Sequence, residues 1–339
     1  MATRLTLWRE LFTAQPKTLL ENSEFTVSAF RYASGVEGLK VANSRGHLVI
    51  LPWLGQMIWD AQFDGHDLTM RNMFSQPKPA NEIVETYGCF AFHSGLLANG
   101  CPSPEDTHAL HGEMACAAMD DAWLEIDGDT LRTGGSCEYV MGFGHHYRAQ
   151  PAVTLHKASA LFDIEMAVTN LASVVMPLQY MCHMNYAYVP GATFSQNLPD
   201  EALVLRDSVP AHVKPTERWL AFNRRIQQGE ATLTTLNEPQ FYDPEIVFFA
   251  DRLDRYTDAP EFQMTAPDGT TFVTRFASAQ FNYATRWILY NGDQQVAAFA
   301  LPATCRPEGF LAAQANGSVQ MLAPQETRQF RVTTGVKKS

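Results

Sequence analysis

The sequence predicts an all-β protein, a large antiparallel β-sandwich. Short runs of β-branched and aromatic residues recur along the chain, and glycines, prolines or Asp-Gly pairs separate them. Within 161–168 the apolar residues alternate, so that Phe162, Ile164 and Met166 share one face of an extended strand. Long segments with helical periodicity are almost absent, which favours two packed sheets over a helical or mixed fold.

The first segment, residues 1–22, is predicted to be a helical extension. Leu5, Trp8 and Leu11 recur at helical spacing before Pro16, which is the pattern of a short amphipathic helix. Residues 23–335 are predicted to form a single β-sandwich domain, because all-β sandwiches often reach this size as one unit.

Strands are predicted wherever β-like runs stand between turn residues. In chain order these runs are Phe25–Tyr32, Leu39–Ala42, His47–Leu51, Met57–Phe63, Ala122–Ile126, a run from Leu131 onward, Leu161–Val168, Val174–Tyr186, Ile246–Phe249, Thr271–Phe276, Thr285–Tyr290, Val296–Phe299, Val319–Leu322 and Gln329–Val332. The polar stretch between about 199 and 229 is predicted to be a long connection with one helical turn.

Composition restricts the classes of partner. The chain has 339 residues, of which 46% are hydrophobic and 18% charged, as is typical of an ordinary globular protein. Its net charge is −11, and Lys/Arg residues form no block apart from the terminal pair Lys337-Lys338. We therefore expect neither nucleic acid nor an anionic membrane as a partner.

The cysteines and the N-terminal residues bear on the compartment. Six cysteines are spread along the chain without a C-x-x-C pair, so we expect free thiols in a reducing environment. Charges at Arg4, Arg9 and Glu10 stand where a signal peptide needs an apolar run, and no stretch approaches membrane-spanning length. The sequence predicts a cytoplasmic protein and leaves open whether it is a monomer or a homodimer.

The most informative stretch for chemistry is Tyr87–Glu113. It places His93, His108 and His111, together with Asn99 and several carboxylates, among glycines and prolines. This composition is typical of a loop that lines a pocket rather than of a core element. A histidine at position 111 is suited to hydrogen bonding or proton transfer near neutral pH, and the alternative is a loop histidine bonded to local backbone.

A second candidate wall lies in the apolar run 174–186. A lone histidine on such a strand is more often a satisfied core group than a catalyst, but Asn185 shares the face of His183 two residues later. Two polar side chains on one face of an apolar strand indicate that this face looks into a wet pocket.

Other candidates are less distinctive. Arg71 is suited to binding a substrate oxygen, although a surface ion pair is the alternative. Asp243 and Glu245 precede a predicted strand and Glu308 follows a late one, positions that are more often occupied by surface carboxylates than by bases.

Metal binding is a further possibility for the histidine-rich stretch. His108, His111 and Glu113 offer imidazole and carboxylate ligands of the kind that zinc, manganese or iron accept. Their spacing matches no tight metal motif, so no metal is expected as a cofactor.

Several short motifs stand in a fixed order along the chain. They are Leu110-His111-Gly112, Trp123, Thr169-Asn170-Leu171, Pro177, His183, Trp287, Asn316-Gly317 and Leu322-Ala323-Pro324-Gln325-Glu326. In this order and spacing, over roughly 55–330, the sequence resembles the aldose 1-epimerase, or galactose mutarotase-like, family, and most of all a less characterised side branch of it.

The resemblance implies a β-supersandwich and a cofactor-free reaction on a small-molecule sugar. In such enzymes a carboxylate removes the proton of the anomeric hydroxyl while a histidine protonates the ring oxygen; the ring opens, the aldehyde rotates, and the ring recloses on the other face. By position, the resemblance makes His183 the general acid and His111 a hydrogen-bond partner of the ring oxygen or a neighbouring hydroxyl.

Two positions depart from the family pattern. The family's base is a glutamate before a proline on a late strand, and this chain has Leu301-Pro302 there, where leucine cannot accept a proton. The family often has an arginine on the glycine-rich segment before the Leu-His-Gly motif, where this chain has His93. The candidates for a replacement base are Glu308, Asp243 and Glu113. The side chains expected to bind the substrate are Arg71, His93, Asn99, Glu113, Asn185 and Asp243.

Three functions remain open from the sequence. The first is a mutarotase or an epimerase that acts at the anomeric carbon. The second is a non-catalytic sugar-binding or regulatory protein without the usual base. The third is a metal-dependent sugar isomerase that uses His93, His108, His111 and Glu113.

Overall fold

Two antiparallel sheets dominate the computed structural model, which describes residues 2–211 and 213–337. The strands are β1 (Thr3–Leu7), β2 (Lys17–Glu21), β3 (Thr26–Arg31), β4 (Glu37–Asn43), β5 (Gly46–Leu51), β6 (Met57–Phe63), β7 (His66–Asp67), β8 (Ala91–Leu96), β9 (Asp121–Asp127), β10 (Thr130–Val140), β11 (His146–His156), β12 (Leu161–Asn170), β13 (Met176–Met184), β14 (Thr193–Gln196), β15 (Leu203–Leu205), β16 (Ile246–Asp251), β17 (Glu261–Thr265), β18 (Thr271–Phe276), β19 (Tyr283–Tyr290), β20 (Gln295–Ala303), β21 (Gln320–Leu322) and β22 (Thr327–Lys337). The predicted all-β antiparallel sandwich is confirmed.

The strand order shows how distant parts of the chain meet. One sheet has nine strands in the order β1-β9-β10-β11-β12-β22-β18-β17-β14. The other has thirteen, with the path β15-β16-β19-β20-β13-β8-β6-β5-β4-β3-β2 and with β21 and β7 paired to β13 and β6. Strand β13 therefore lies between β8 and β20, which brings the early histidine-rich stretch beside the late strands.

The core lies between the two sheets. Phe63 on β6 stacks on Phe162 of β12, with ring centroids 5.4 Å apart, and Tyr180 on β13 contacts Phe330 of β22 at 5.0 Å. The Tyr186 hydroxyl and the Thr334 hydroxyl form a 2.7 Å hydrogen bond across the sandwich, so that a polar group in the core is satisfied. The alternating residues of β12 are buried as predicted.

The N-terminal segment is not helical, so the predicted amphipathic helix is wrong. Strand β1 pairs with β9 and β2 pairs with β3, and a single 3₁₀ turn, Arg9–Leu11, stands between them. Trp8, which the helical pattern places on a buried stripe, is 63% exposed. A short isolated helix is marginal in water, whereas an open sheet edge offers a full row of backbone hydrogen bonds. The boundary at residue 22 stays a prediction.

Two α-helices complete the described structure. Helix α1 (Glu217–Gln227) has three turns where the sequence predicted one, and the Thr216 hydroxyl caps it by accepting a hydrogen bond from the Trp219 amide. Helix α2 (Phe310–Ala315) follows β20. Among the residues described, no helix is long and apolar enough to cross a membrane.

Candidate active site

A cavity of about 390 Å³ lies on the thirteen-stranded sheet, on the face that points away from the other sheet. Side chains alternate along β13, so that Tyr180 contacts the nine-stranded sheet while Met181 and His183 line the cavity. Further lining comes from β16, β19 and β20 through Val247, Trp287 and Leu301. The volume falls within the range of roughly 300–1,000 Å³ that is typical of small-molecule sites.

Two histidines meet in this cavity. The rings of His111 and His183 have centroids 4.8 Å apart and planes at 81°, and both residues are buried. His183 also stacks on Phe92 of the neighbouring strand β8, at 4.5 Å. The structure thus brings together the two histidines that the sequence singled out from separate elements.

The backbone around His111 explains why a glycine follows it. His111 has a φ of 62°, and its amide donates to the carbonyl of Gly100. Gly112 has a φ of 75°, and a Cβ there would lie 2.3 Å from the Ala98 carbonyl oxygen and 2.5 Å from that of Gly95. Only glycine fits this close approach, so the Leu-His-Gly motif fixes how the imidazole enters the cavity.

Tyr87 connects the two histidines. Its hydroxyl lies 3.4 Å from His183 Nε2, and its ring contacts those of His183, His111 and Trp287 edge-on or tilted. Burial raises the pKa of Tyr87 well above its usual value and lowers the pKa of His183 to about 3. Near neutral pH, Tyr87 is therefore protonated and His183 is neutral.

A buried ion pair forms another wall of the cavity. Glu245 Oε1 accepts a 2.7 Å hydrogen bond from Arg206 Nη2, and Glu245 Oε2 accepts one of 2.7 Å from Trp287 Nε1. The Trp219 indole donates to the Glu245 backbone carbonyl at 2.6 Å, which ties helix α1 to this wall. Two side-chain donors thus hold the carboxylate, and a third holds the backbone of the same residue, so that Glu245 has a defined position.

Asp243 lies at the rim of the same cavity. Its side chain is exposed, and its Oδ1 accepts a 3.2 Å hydrogen bond from Asn291. Leu301 on β20 lines the cavity as a buried apolar residue. The sequence suggests several residues as bases or substrate-binding groups. Of these, Asp243 is the one whose side chain lies at the cavity.

His93 and Glu113 lie outside the cavity. For His93 the reason is that 91–96 is the buried strand β8 and not a loop. His93 points to the opposite face from Phe92, and its Nδ1 forms a 2.8 Å hydrogen bond with the Tyr180 hydroxyl. Burial lowers its pKa to about 4. Glu113 accepts hydrogen bonds from the amides of Leu96 and Leu97 and from the Tyr147 hydroxyl, so it anchors the chain after β8.

Asn99 and Asn185 have local roles. Asn99 Oδ1 accepts a hydrogen bond from the Ser94 hydroxyl, and the Ser94 oxygen lies 3.0 Å from His111 Nδ1. Asn99 therefore orients His111 through Ser94 and is not among the cavity-lining side chains. Asn185 donates to the Cys89 carbonyl at 2.9 Å, just beyond the end of β13.

The side chains of Arg71 and Glu308 do not line the cavity of His111 and His183. Arg71 lines a separate, neighbouring cavity. Glu308 accepts a 2.8 Å hydrogen bond from the Ser208 hydroxyl, and Arg306 lies 3.7 Å from its carboxylate. Its neighbour Pro307 lines the first cavity, but the Glu308 side chain does not.

The side chains considered as metal ligands have separate partners. His93 bonds Tyr180, His108 Nε2 accepts from the Phe310 amide, and Glu113 accepts from the amides after β8. Within 2–211 and 213–337, no three His, Cys, Asp or Glu side chains form a group suited to a metal ion. The residues present therefore do not fit the metal-dependent reading.

Sequence reasoning missed the residues that complete the cavity. The sequence pattern favours a surface position for Glu245 and a connection around Arg206, and it indicates no role for Tyr87 or Trp287. The available signal was the Asp243-Pro244-Glu245 segment directly before an apolar strand, which places a carboxylate at a strand end.

Comparison with known proteins gives the family. The family described as "Domain of unknown function (DUF4432)" matches residues 33–336. The chain belongs to this family. No curated protein matches the sequence.

Solved structures share the fold of this DUF4432 chain at low sequence identity. A putative aldose 1-epimerase from Klebsiella pneumoniae subsp. pneumoniae has a TM-score of 0.81 and 13% identity, with 99% of this chain and 91% of that chain covered. A galactose mutarotase-like protein from Clostridium acetobutylicum has a TM-score of 0.63 and 13% identity, with coverage of 94% and 100%. Another from Lactobacillus casei has a TM-score of 0.59 and 12% identity, with coverage of 88% and 100%. The galactose mutarotase-like fold implied by the motifs is confirmed.

Proposed function

We propose that the chain binds a free aldose in the cavity around His111 and His183 and catalyses its mutarotation. The observation that carries the proposal is one small-molecule cavity that holds both histidines, the Tyr87 hydroxyl and the buried Glu245 carboxylate. Ring opening of a sugar needs a proton acceptor at the anomeric hydroxyl and a proton donor at the ring oxygen. The descriptions of the structural relatives as aldose 1-epimerase and mutarotase-like proteins support the same reaction.

The charges of the cavity favour an unphosphorylated sugar. Its charged lining residues are Arg206, Asp243 and Glu245, and Arg206 is already paired with Glu245. Carboxylates outnumber guanidinium groups among the described lining residues, so an anionic group on the sugar would be repelled. We therefore expect a neutral aldose as the substrate.

Glu245 is the proposed base. Trp287 and Arg206 each occupy one acceptor site of the carboxylate, and the remaining lone pairs stay available for the anomeric proton. The family's glutamate would stand at Leu301 on β20, whereas Glu245 precedes β16, and β19 lies between these two strands in the sheet. The proposed proton acceptor therefore lies on a different wall of the same cavity from Leu301.

Tyr87 is the proposed proton donor, and His183 holds its hydroxyl. A histidine with a pKa of about 3 is neutral at pH 7, so an imidazolium is not the source of the proton. As the bond between the anomeric carbon and the ring oxygen breaks, Tyr87 protonates the ring oxygen and Glu245 takes the proton of the anomeric hydroxyl. After the aldehyde rotates, both protons return and the ring closes on the other face.

The test is the rate of anomer interconversion for a panel of neutral aldoses, followed by polarimetry or NMR exchange. At least one aldose should equilibrate faster than in buffer, and the corresponding sugar phosphates should not. His183→Phe is the matched variant, because it preserves ring packing on Phe92, and it should remove the acceleration. Rates equal to buffer for every aldose would contradict the proposal.

A second candidate is sugar binding without catalysis. It is favoured by the hydrogen bonds that already engage both oxygens of Glu245 and by the apolar Leu301 at the position of the family's base. Leu301→Glu distinguishes the two. If the wild type binds aldoses without mutarotating them and the variant gains mutarotation, the cavity is a binding site that lacks its base. An active wild type removes this candidate.

A further inference from the structure

A short chain of hydrogen bonds stands behind the imidazole of His111. His111 Nδ1 lies 3.0 Å from the Ser94 hydroxyl oxygen, and the Ser94 hydroxyl donates to Asn99 Oδ1. Ser94 and Asn99 are fully buried, and both lie outside the lining of the cavity, which His111 itself lines. The two residues therefore act on the cavity through the His111 ring.

The direction of each hydrogen bond follows from which atoms can donate. Asn99 Oδ1 is an amide oxygen and can only accept. The other oxygen near the Ser94 hydroxyl is the backbone carbonyl of His111, at 3.3 Å, and it also can only accept. Whichever of these oxygens receives the single hydroxyl proton of Ser94, none is left for the imidazole. The hydrogen bond between the ring and Ser94 is therefore donated by His111 Nδ1.

The amide group of Asn99 is itself held in this orientation. Asn99 Nδ2 donates to Cys305 Sγ at 3.9 Å, so the amide nitrogen faces the sulfur and the amide oxygen faces Ser94. The backbone amide of Asn99 donates to Gln179 Oε1 at 2.8 Å, which fixes the chain from which the side chain extends. Residues on either side of Asn99 thus keep an acceptor, and not a donor, against the Ser94 hydroxyl.

The position of this proton decides what the other ring nitrogen can do. A neutral imidazole carries one proton, so a ring that is protonated at Nδ1 has an unprotonated Nε2 that can only accept. The ring oxygen of a sugar has no proton to donate, whereas each of its hydroxyl groups has one. An imidazole in this form can therefore pair with a hydroxyl group and not with the ring oxygen.

We propose that Ser94 and Asn99 are positioning residues that hold the proton of His111 on Nδ1, and that His111 Nε2 selects the substrate by accepting a hydrogen bond from a non-anomeric hydroxyl of the sugar. The ring oxygen is left to Tyr87. The inference rests on the proposed function for the place of the sugar, but the position of the proton is measured without any sugar.

The first experiment locates the proton by long-range proton–nitrogen NMR at pH 7 on protein labelled with ¹⁵N-histidine. The His111 signals are assigned by their loss in His111→Gln. The wild type should show one protonated nitrogen, Nδ1, and one unprotonated nitrogen, Nε2. In Ser94→Ala the acceptor is gone, so the fraction protonated at Nδ1 should fall. Ser195→Ala, an exposed serine on β14, should leave the His111 signals unchanged.

The second experiment measures the hydroxyl contact by binding. The best aldose of the panel is titrated against its 2-, 3-, 4- and 6-deoxy analogues. One analogue should bind about tenfold more weakly than the parent sugar, because a buried acceptor is then left unpaired. This discrimination should shrink in Ser94→Ala, where the ring is free to place its proton on Nε2, and should persist in Ser195→Ala.

A wild-type His111 with its proton on Nε2, or with protons on both nitrogens, would overturn the inference even if Ser94→Ala does not fold. Equal affinities for the parent aldose and every deoxy analogue would overturn the hydroxyl contact. Accelerated anomer exchange together with an Nε2-protonated His111 would keep the proposed function and remove this inference. An Nδ1-protonated His111 in a protein that binds no aldose would support the role of Ser94 and Asn99 and contradict the proposed function.

Discussion

The indole nitrogen of Trp287 donates a 2.7 Å hydrogen bond to Glu245 Oε2, and the same indole ring lies 5.7 Å from the His183 ring at 71°. One aromatic side chain therefore contacts both the buried carboxylate and the buried imidazole. Because Trp287 is itself held on β19, the relative position of these two groups is set by the sheet and not by a flexible loop.

Tyr87→Phe tests the proposed proton donor. Removing the hydroxyl while keeping the ring should lower the turnover rate by about 10²-fold or more, because general acid catalysis contributes factors of roughly 10²–10⁴. Sugar affinity should change much less. The measurement is NMR exchange combined with a binding titration, with Tyr139→Phe, outside the cavity, as the control. An unchanged rate would transfer the donor role to a histidine.

The dependence of the rate on pH distinguishes the two donors directly. Because burial lowers the pKa of His183 to about 3, its protonation state stays constant between pH 5 and 8 and contributes no slope there. A His183 imidazolium donor would instead give a rate that falls about tenfold for each pH unit in this interval. The profile is measured at constant ionic strength with the best aldose of the panel.

The buried histidines should make stability depend on pH. The folded-state pKa values of His93 and His183, about 4 and about 3, lie below the ordinary value of 6.5. Well above pH 6.5, both histidines are neutral in the folded chain and in the unfolded chain. As the pH falls below 6.5, the unfolded state binds protons that the folded state does not, so stability is lost down to the folded pKa values. At pH 5 each group should cost about 2 kcal/mol of unfolding free energy.

The measurement is denaturant unfolding at pH 7 and pH 5. His93→Gln, which retains a hydrogen-bonding group beside Tyr180, should reduce the loss between these pH values. An unfolding free energy that does not change between pH 7 and 5 would show that the two imidazoles are not held neutral by burial.

Gly112→Ala tests the backbone that presents His111. The added methyl group meets the carbonyl oxygens of Ala98 and Gly95 in a backbone conformation that alanine rarely adopts, so unfolding should become easier by about 2–4 kcal/mol. Gly128→Ala is the matched control, because Gly128 also has a positive φ but no atom lies within 4 Å of its Cβ position. It should cost about 1 kcal/mol. Equal effects at both positions would contradict the packing argument.

Period-two alternation predicted most of the sheet structure, and the failures have physical causes. The predicted runs at Met57–Phe63 and Thr271–Phe276 coincide with β6 and β18. Strand β8 has the composition of a loop, because it is buried on both faces and carries His93 and Ser94 among its apolar residues, so it shows no alternation. The segment before residue 22 forms strands β1 and β2, one at an edge of each sheet. Helical spacing within the segment does not reveal this pairing with distant strands.

The candidate site was predicted only in part for a similar reason. His111 and His183 stand in recognisable motifs, and the structure brings their rings together. Glu245 and Arg206 are joined by a contact between a strand end and a segment before helix α1, and nothing local in the sequence reports such a pairing. Burial, which gives Glu245 its proposed role, is a property of the folded chain.

The most direct test of the proposed mutarotase is anomer exchange measured by NMR for the wild type, Glu245→Gln and Asp243→Asn on the same aldose. Glutamine keeps the shape of Glu245 and removes the proton acceptor, so the exchange rate should fall by about 10²-fold or more while the sugar still binds. Asp243→Asn, at the rim, should retain most of the rate. A Glu245→Gln variant that exchanges anomers as fast as the wild type would contradict the account.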